Sequence, residues 1–164
     1  MKNEKAKSFI EIINQNIGIT HKVARIYFRE SEDREDVIQE MMYQLWKSYP
    51  SFSGQSKFST WMYSVCLNTA ITYRKKYVSH SNQPLNIEHY QYELPDYEDE
   101  EDGIRQLFKA IANLSVLNKA VILLYLESMS YEEIAEVTGL AKSNVSIRLV
   151  RIKKELEIQL KHNI

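Results

Sequence analysis

The chain has 164 residues, 44% of them hydrophobic and 26% charged, which suits a soluble globular protein holding one ordinary domain or two small ones. Its longest apolar run, residues 120–126 with one tyrosine inside, is far too short to cross a bilayer, and the polar, lysine-rich residues 1–8 hold no apolar stretch of signal-peptide length. The formal net charge of −1 conceals a split: residues 1–77 carry 12 Lys+Arg and 8 Asp+Glu, residues 78–103 carry none and 8, and residues 104–164 carry 9 and 6.

Two mildly basic blocks around an acidic connector therefore predict two folded units, each able to approach a polyanion. In the first block, Phe9, Ile10, Ile12, Ile13, Ile17, Val23, Ala24, Ile26 and Tyr27 recur near helical spacing and predict one helix or two, interrupted at Gly18. Val37, Ile38, Met41, Met42, Leu45 and Trp46 form a double stripe that predicts an amphipathic helix ending before Pro50. A polar loop, residues 51–57, leads to Ser59 or Thr60 as the expected N-cap of a third helix, with Trp61, Val65, Cys66 and Thr69 on its apolar side. That helix is expected to end near Arg74, Lys75 and Lys76. Cys66, alone in the chain, excludes an internal disulfide and a thiolate cage and is expected in the core.

Residues 78–102 read as a linker, with Pro84, Pro95 and six acids in the seven positions 96–102. Beyond it, Ile104, Leu107, Phe108, Ile111 and Leu114 follow a helical period, and Ser115 is placed to cap the next apolar helix. Ser130 and Glu133 fit a capping box, Gly139 suits the left-handed position that ends a short helix, and Val145, Leu149, Ile152, Leu156 and Leu160 line a last one. No strand alternation competes, so the expected class is all-α: two small helical domains, residues 1–77 and 103–164, joined by an acidic flexible linker over 78–102.

Three constellations carry chemistry. A short capped helix, the turn Thr138, Gly139, Leu140 and a longer helix make the pattern of a helix-turn-helix, whose second helix enters a major groove by its N-terminal end. From 141 to 154 that helix has five cations (Lys142, Arg148, Arg151, Lys153, Lys154) and no acid, a face suited to phosphates. Lys142, Ser143, Asn144, Ser146 and Ile147 offer donors, acceptors and a methyl-reading group for base edges. The plainer account is a solvated basic face on an ordinary helix hairpin. In the first block Phe52, Phe58, Trp61, Tyr63, Tyr73 and Tyr77 interleave with Lys57, Arg74, Lys75 and Lys76. That mixture suits single-stranded nucleic acid, with Asn68 as polar lining for an unstacked base; core packing is the plainer account. Asp36, Gln39, Glu40 and Tyr43 share one polar helix face, a docking surface for a basic partner or simply a solvated one.

The run from Asp36 to Glu40, then Phe52, Phe58, Trp61, Tyr63, Asn68 and the cluster Arg74, Lys75, Lys76, resembles region two of the sigma-seventy family. The segment 130–156, with Val145, Arg148, Leu149 and Arg151, resembles region four. With only these two regions and a short linker, the chain resembles an extracytoplasmic-function (ECF) sigma factor. The resemblance implies a protein that binds core RNA polymerase, through its beta-prime and beta subunits, and directs it to promoter DNA. Asp36, Gln39, Glu40 and Tyr43 would dock on the beta-prime clamp helices. Lys57, Phe58, Thr60, Trp61, Asn68, Arg74 and Lys75 would melt and read the minus-ten element. Lys142, Ser143, Asn144, Ser146, Ile147, Arg148 and Arg151 would read the minus-thirty-five element as duplex. The acidic linker would thread toward the RNA channel, and control would come from a separate anti-sigma factor, since the chain stops soon after Leu160 without an added sensing domain. Ser143 and Asn144 stand where the family commonly has Gly and Thr, and Ile147 where Ser is usual, so the bases read are not transferable.

A free-standing helix-turn-helix regulator is the alternative, and an interaction protein that binds polymerase without reading promoters is a third. No catalytic residues, cofactor or metal are expected: His21, His80, His89 and His162 have no ligand spacing and no nucleophile has a nearby base. The expected setting is the cytoplasm.

Overall fold

The structure is a computed structural model that describes residues 2–80 and 101–162. Over these residues it holds eight α-helices, one short 3-10 turn and no strand: α1 Lys2–Gln15, α2 Gly18–Tyr27, α3 Ser31–Ser48, the 3-10 turn Tyr49–Ser51, α4 Phe58–His80, α5 Asp102–Ala112, α6 Val116–Leu126, α7 Tyr131–Thr138 and α8 Lys142–His162. Residues 81–100 of the expected connector and the side chains of residues 77–80 lie outside the described residues; α4 runs on to His80 and α5 starts at Asp102, so both ends of the expected 78–102 linker are helical.

Local chemistry accounts for most boundaries. The break between α1 and α2 falls at Asn16 and Ile17, where the amides of Asn16 and Ile19 make tight three-residue bonds to the carbonyls of Ile13 and Asn16. The Ser115 hydroxyl accepts from the Asn118 amide at 3.3 Å and the Ser130 hydroxyl from the Glu133 amide at 3.1 Å, capping α6 and α7. Glu133 makes no return bond; Glu132 turns instead to Lys142, which holds its carboxyl below the usual range. Gly139 ends α7 at φ +77°. A Cβ there would meet nothing within 4 Å, so Gly139→Ala should cost only backbone strain, about 1–2 kcal/mol. Thermal unfolding should register it as a Tm lower by about 2–8 °C; an unchanged Tm would remove the strain argument.

Two details differ from the sequence expectation. α4 starts at Phe58, because the Trp61 amide finds the Lys57 carbonyl at 3.1 Å, so Ser59 and Thr60 lie inside the first turn rather than capping it. Its buried side is Met62, Tyr63, Cys66, Leu67 and Ala70, with Trp61 and Val65 only partly covered. On α3, Val37, Met41 and Leu45 are fully buried, Ile38 and Met42 flank them, and Trp46 emerges at the rim with 50% exposure. A residue nine positions after Val37 has turned about 180° away from it on a 100° period, so the end of the double stripe leaves the core.

The larger finding is that the two blocks pack together. α2 and α4 lie against α5, α6 and α7, and one apolar core runs through both. Across the seam the Tyr27 hydroxyl donates to the Val116 carbonyl at 2.6 Å, Lys22 pairs with Glu127 at 2.6 Å, and the Arg25 guanidinium lies 4.3 Å from the Phe108 ring centroid. Lys119, 3% exposed, sits 5.2 Å from the Tyr27 ring. Burial, and then the Arg74 charge, bring its ammonium down to about 7.

Candidate nucleic-acid interface

The α3 face comes first. Asp36, Gln39 and Tyr43 are exposed and Glu40 half-buried, with the Glu40 carboxylate accepting from the Gln44 amide at 2.9 Å. Glu32 and Asp33 stand in the first turn, where the helix dipole favours acids. Burial and the neighbouring Glu30 and Asp36 push the Asp33 carboxyl up. The face is thus an acidic surface with an aromatic at one end, Tyr43 at 56% exposure.

The loop after α3 and the start of α4 hold an aromatic cluster. Phe52, Phe58 and Trp61 contact one another with ring centroids 5.1 to 5.6 Å apart, and each is half-buried, beside the exposed Lys57. Two turns along α4, the exposed Asn68 opens on a cavity of about 340 Å³ shared with Glu40, Gln44, Thr72, Tyr73 and Lys76. Thr72 was not singled out from sequence, and Lys76 only as one of the basic cluster, although positions four and eight after Asn68 on a helix share its face. Lys75 is exposed.

Three expected contacts are placed otherwise. Thr60 is only 5% exposed, inside the first turn of α4, and cannot present its hydroxyl to a base. Arg74 is half-buried and its charge acts on Tyr27 and Lys119 in the seam between the blocks. Tyr63 is fully buried with its hydroxyl near Glu127, and burial raises its phenol, as the core account of the tyrosines has it.

On α8 the buried stripe Val145, Leu149, Ile152 and Leu156 turns Lys142, Ser143, Asn144, Ile147 and Arg151 outward, with Ser146 half-buried. Lys142 pairs with Glu132 of α7, an exposed contact that DNA can displace. Arg148 differs: its Nη1 donates to the Asn118 side-chain oxygen at 3.0 Å, tying α8 to α6. Lys153 likewise donates to the Tyr125 hydroxyl at 3.0 Å. The outward face keeps cations and polar groups at the N-terminal end, the geometry of a recognition helix. Among the described residues no cluster of His, Cys, Asp or Glu is arranged to hold a metal, and no helix is long and apolar enough to cross a membrane.

Comparison with known proteins gives this geometry its family. The model for sigma-70 region 2 matches residues 12–79 and that for sigma-70 region 4 matches residues 104–156. The ECF RNA polymerase sigma-E factor of Haemophilus influenzae is 32% identical over 155 residues, covering 84% of this chain and 80% of that protein. Its Escherichia coli K12 counterpart is 29% identical over the same shares. Among solved structures, the sigma factor RpoE in complex with the anti-sigma factor NepR from Bartonella quintana has a similar fold. The TM-score is 0.75 at 22% identity, covering 94% of this chain and 98% of that one. CnrH in complex with the cytosolic domain of CnrY follows at 0.67 and 19% identity, covering 97% and 91%. Two matched regions in the right order, on an all-helical frame with a helix-turn-helix, lead to one conclusion: this chain belongs to the ECF sigma factors of the sigma-70 family, regulatory proteins that bind core RNA polymerase and direct promoter-specific initiation.

Proposed function

We propose that three surfaces divide the work of initiation. Residues 1–77 form the unit that joins polymerase and opens DNA, 103–164 the unit that reads duplex, and 78–102 connect them. Asp36, Gln39, Glu40 and Tyr43 dock on the beta-prime clamp helices, an acidic face meeting a basic partner. Lys57, Phe58 and Trp61 stack against the melted minus-ten strand, with Lys75 on its backbone and Asn68 lining the pocket that takes a flipped base. Lys142, Ser143, Asn144, Ser146 and Ile147 read the minus-thirty-five element, with Arg151 on phosphate. Thr60 has no part in this division. Arg148 joins DNA only after leaving Asn118, and Arg74 only once the seam that half-buries it opens. The protein works in the cytoplasm without catalysing a reaction of its own, and an anti-sigma factor is its controlling partner, as NepR is for the similar RpoE.

The observation that carries this reading is the polar cavity of about 340 Å³ beside Asn68, next to an aromatic and basic surface on the same helix. A base out of the stack needs such lining, and every base offers a face to stack. The reading also requires movement. The centres of the two promoter elements lie about 25 base pairs apart, roughly 85 Å at about 3.4 Å per pair. Here α4 touches α7 and α7 touches α8, so the two reading helices are separated by roughly two helix spacings of about 10 Å. The blocks must part before both elements are read.

Transcription in vitro with core polymerase on a genomic fragment library tests this. Starts that depend on the protein and share two spaced elements are expected. Asn68→Ala should impair opening or minus-ten discrimination while core binding is retained; equal loss of both would reject the pocket role. Core binding without specific starts would instead favour an interaction protein, and operator binding by the protein alone a free-standing regulator.

A further inference from the structure

We propose that Lys119 is a proton-operated latch between the two blocks: uncharged, its amine lets α6 close on α2 and α4, and on taking up a proton it drives the blocks apart. The inference rests on the reading above that the blocks must part, and names the group that parts them.

The composition of the seam comes first. α2, α4 and α6 meet around Lys119, and together they contain no Asp or Glu. From α2 the Tyr27 ring faces the Lys119 nitrogen at 5.2 Å, its hydroxyl already donating to the Val116 carbonyl at 2.6 Å. From α4 comes the positive charge of Arg74, which opposes an ammonium. Of the other helices packed against α6, α5 adds the cations Arg105 and Lys109, and α8 adds Arg148, bonded to Asn118. Their acids, Asp102 on α5, Glu132, Glu133 and Glu136 on α7, and Glu155 and Glu157 on α8, do not act on Lys119. Glu127, just past α6, is held by Lys22. At 3% exposure Lys119 has almost no water either. A buried ammonium facing a second cation without a carboxylate destabilises the closed arrangement.

The direction of the response follows. Burial and then Arg74 bring the Lys119 ammonium down to about 7 in the closed form, and hydration in the open form returns it to the ordinary 10.5. The closed form therefore binds fewer protons, so each fall in pH between these limits favours the open form. Below about pH 7 both forms are charged and the gain levels off. Arg25, the other buried cation among the described residues, keeps its proton at any working pH and cannot switch. A seam between blocks is also where a charge regains water with least disruption, because parting it leaves the helices of each block folded.

The test uses the full chain carrying donor and acceptor dyes at Glu11→Cys in α1 and Glu155→Cys in α8, both exposed positions, with Cys66 buried. Single-molecule energy transfer reads the ratio of open to closed molecules between pH 7 and 9. That ratio should be roughly 50-fold higher at pH 7 than at pH 9, with helical circular dichroism unchanged. Lys119→Met should keep the blocks closed and remove the pH dependence; Lys119→Arg, charged throughout, should remove it with the blocks open. A flat wild-type ratio, at whatever level, overturns the latch. So does a slope that survives Lys119→Met, which would give the proton to another group, or a loss of helical signal alongside the transfer, which would mean unfolding instead of parting. The same labelled protein in holoenzyme on a two-element promoter separates the failures. It should be open at every pH. If it initiates while closed, the reading that the blocks must part falls; if it opens there while the free protein ignores pH, only the latch falls.

Discussion

Tying the two blocks together should abolish promoter-specific initiation almost completely. Cysteines at Lys22 and Glu127, whose side chains meet at 2.6 Å across the seam, joined by a short cleavable bis-maleimide, would lock α2 to the end of α6. Losing the native ion pair itself should matter little, because both side chains are partly exposed and such pairs are worth at most about 1 kcal/mol. Cys66 should not compete for the reagent: it is fully buried, and burial pushes its thiol up to about 12, so almost no thiolate forms at neutral pH. The locked protein cannot place α4 and α8 about 85 Å apart, the distance that about 25 base pairs impose at about 3.4 Å each. The expected result is retained binding to core enzyme, loss of runoff transcript from a two-element promoter, and recovery on cleaving the linker. Full activity while locked would show that the packed arrangement already reads promoters.

The second large effect is expected at Lys119. Its pKa falls from 10.5 in the unfolded chain to about 7 in the packed state, because burial and the Arg74 charge disfavour the ammonium. The packed state therefore binds fewer protons between about pH 7 and 10.5. Stability should rise with pH across that window, by up to about 1.4 kcal/mol per unit, and the full penalty should be present below about pH 7. Cys66, Tyr27 and Tyr63 are shifted upward and act in the opposite sense above about pH 9, so the clean interval is pH 7 to 9. Lys119→Met keeps the stem against the Tyr27 ring and removes the charge. It should stabilise the protein at pH 7 by about 1–4 kcal/mol, as replacing buried charges commonly does. Denaturant titrations of both proteins at pH 7, 8 and 9 check this. Parallel pH dependences would mean that Lys119 keeps its proton within the seam, and the argument would fail.

Legibility varied with the kind of interaction. Helix ends signalled by Ser115, Ser130 and Gly139 were readable because caps depend on a few neighbouring residues. The α8 stripe was readable because one face of that helix is buried along most of its length. α4 was legible only in part, with Cys66 and Thr69 buried as expected but Trp61 and Val65 not, and for a physical reason: it packs against α2, α3, α6 and α7, so apolar positions run around much of it and no single stripe marks the core. Thr60 followed from the same error, since a residue taken for a cap at the surface is a buried member of the first turn. Asn68 was legible as a polar interruption, but Thr72 and Lys76 joined it only once the cavity against α3 was formed.

The sequence by itself determined the all-helical class, the two regions and their order, the acidic face of α3 and the polar, basic outer face of α8. Each of these depends on residue types at short, fixed spacings, which a helix converts directly into faces. Only the tertiary structure decided that the blocks pack on one core, that Arg74 is half-buried near the seam and Arg148 bonded to Asn118, that Lys119 is buried in the seam, and that Trp46 stands exposed beside three lysines. Such features depend on contacts between residues dozens of positions apart. No local period encodes those contacts, and their energies appear only when burial removes water from charged and aromatic groups.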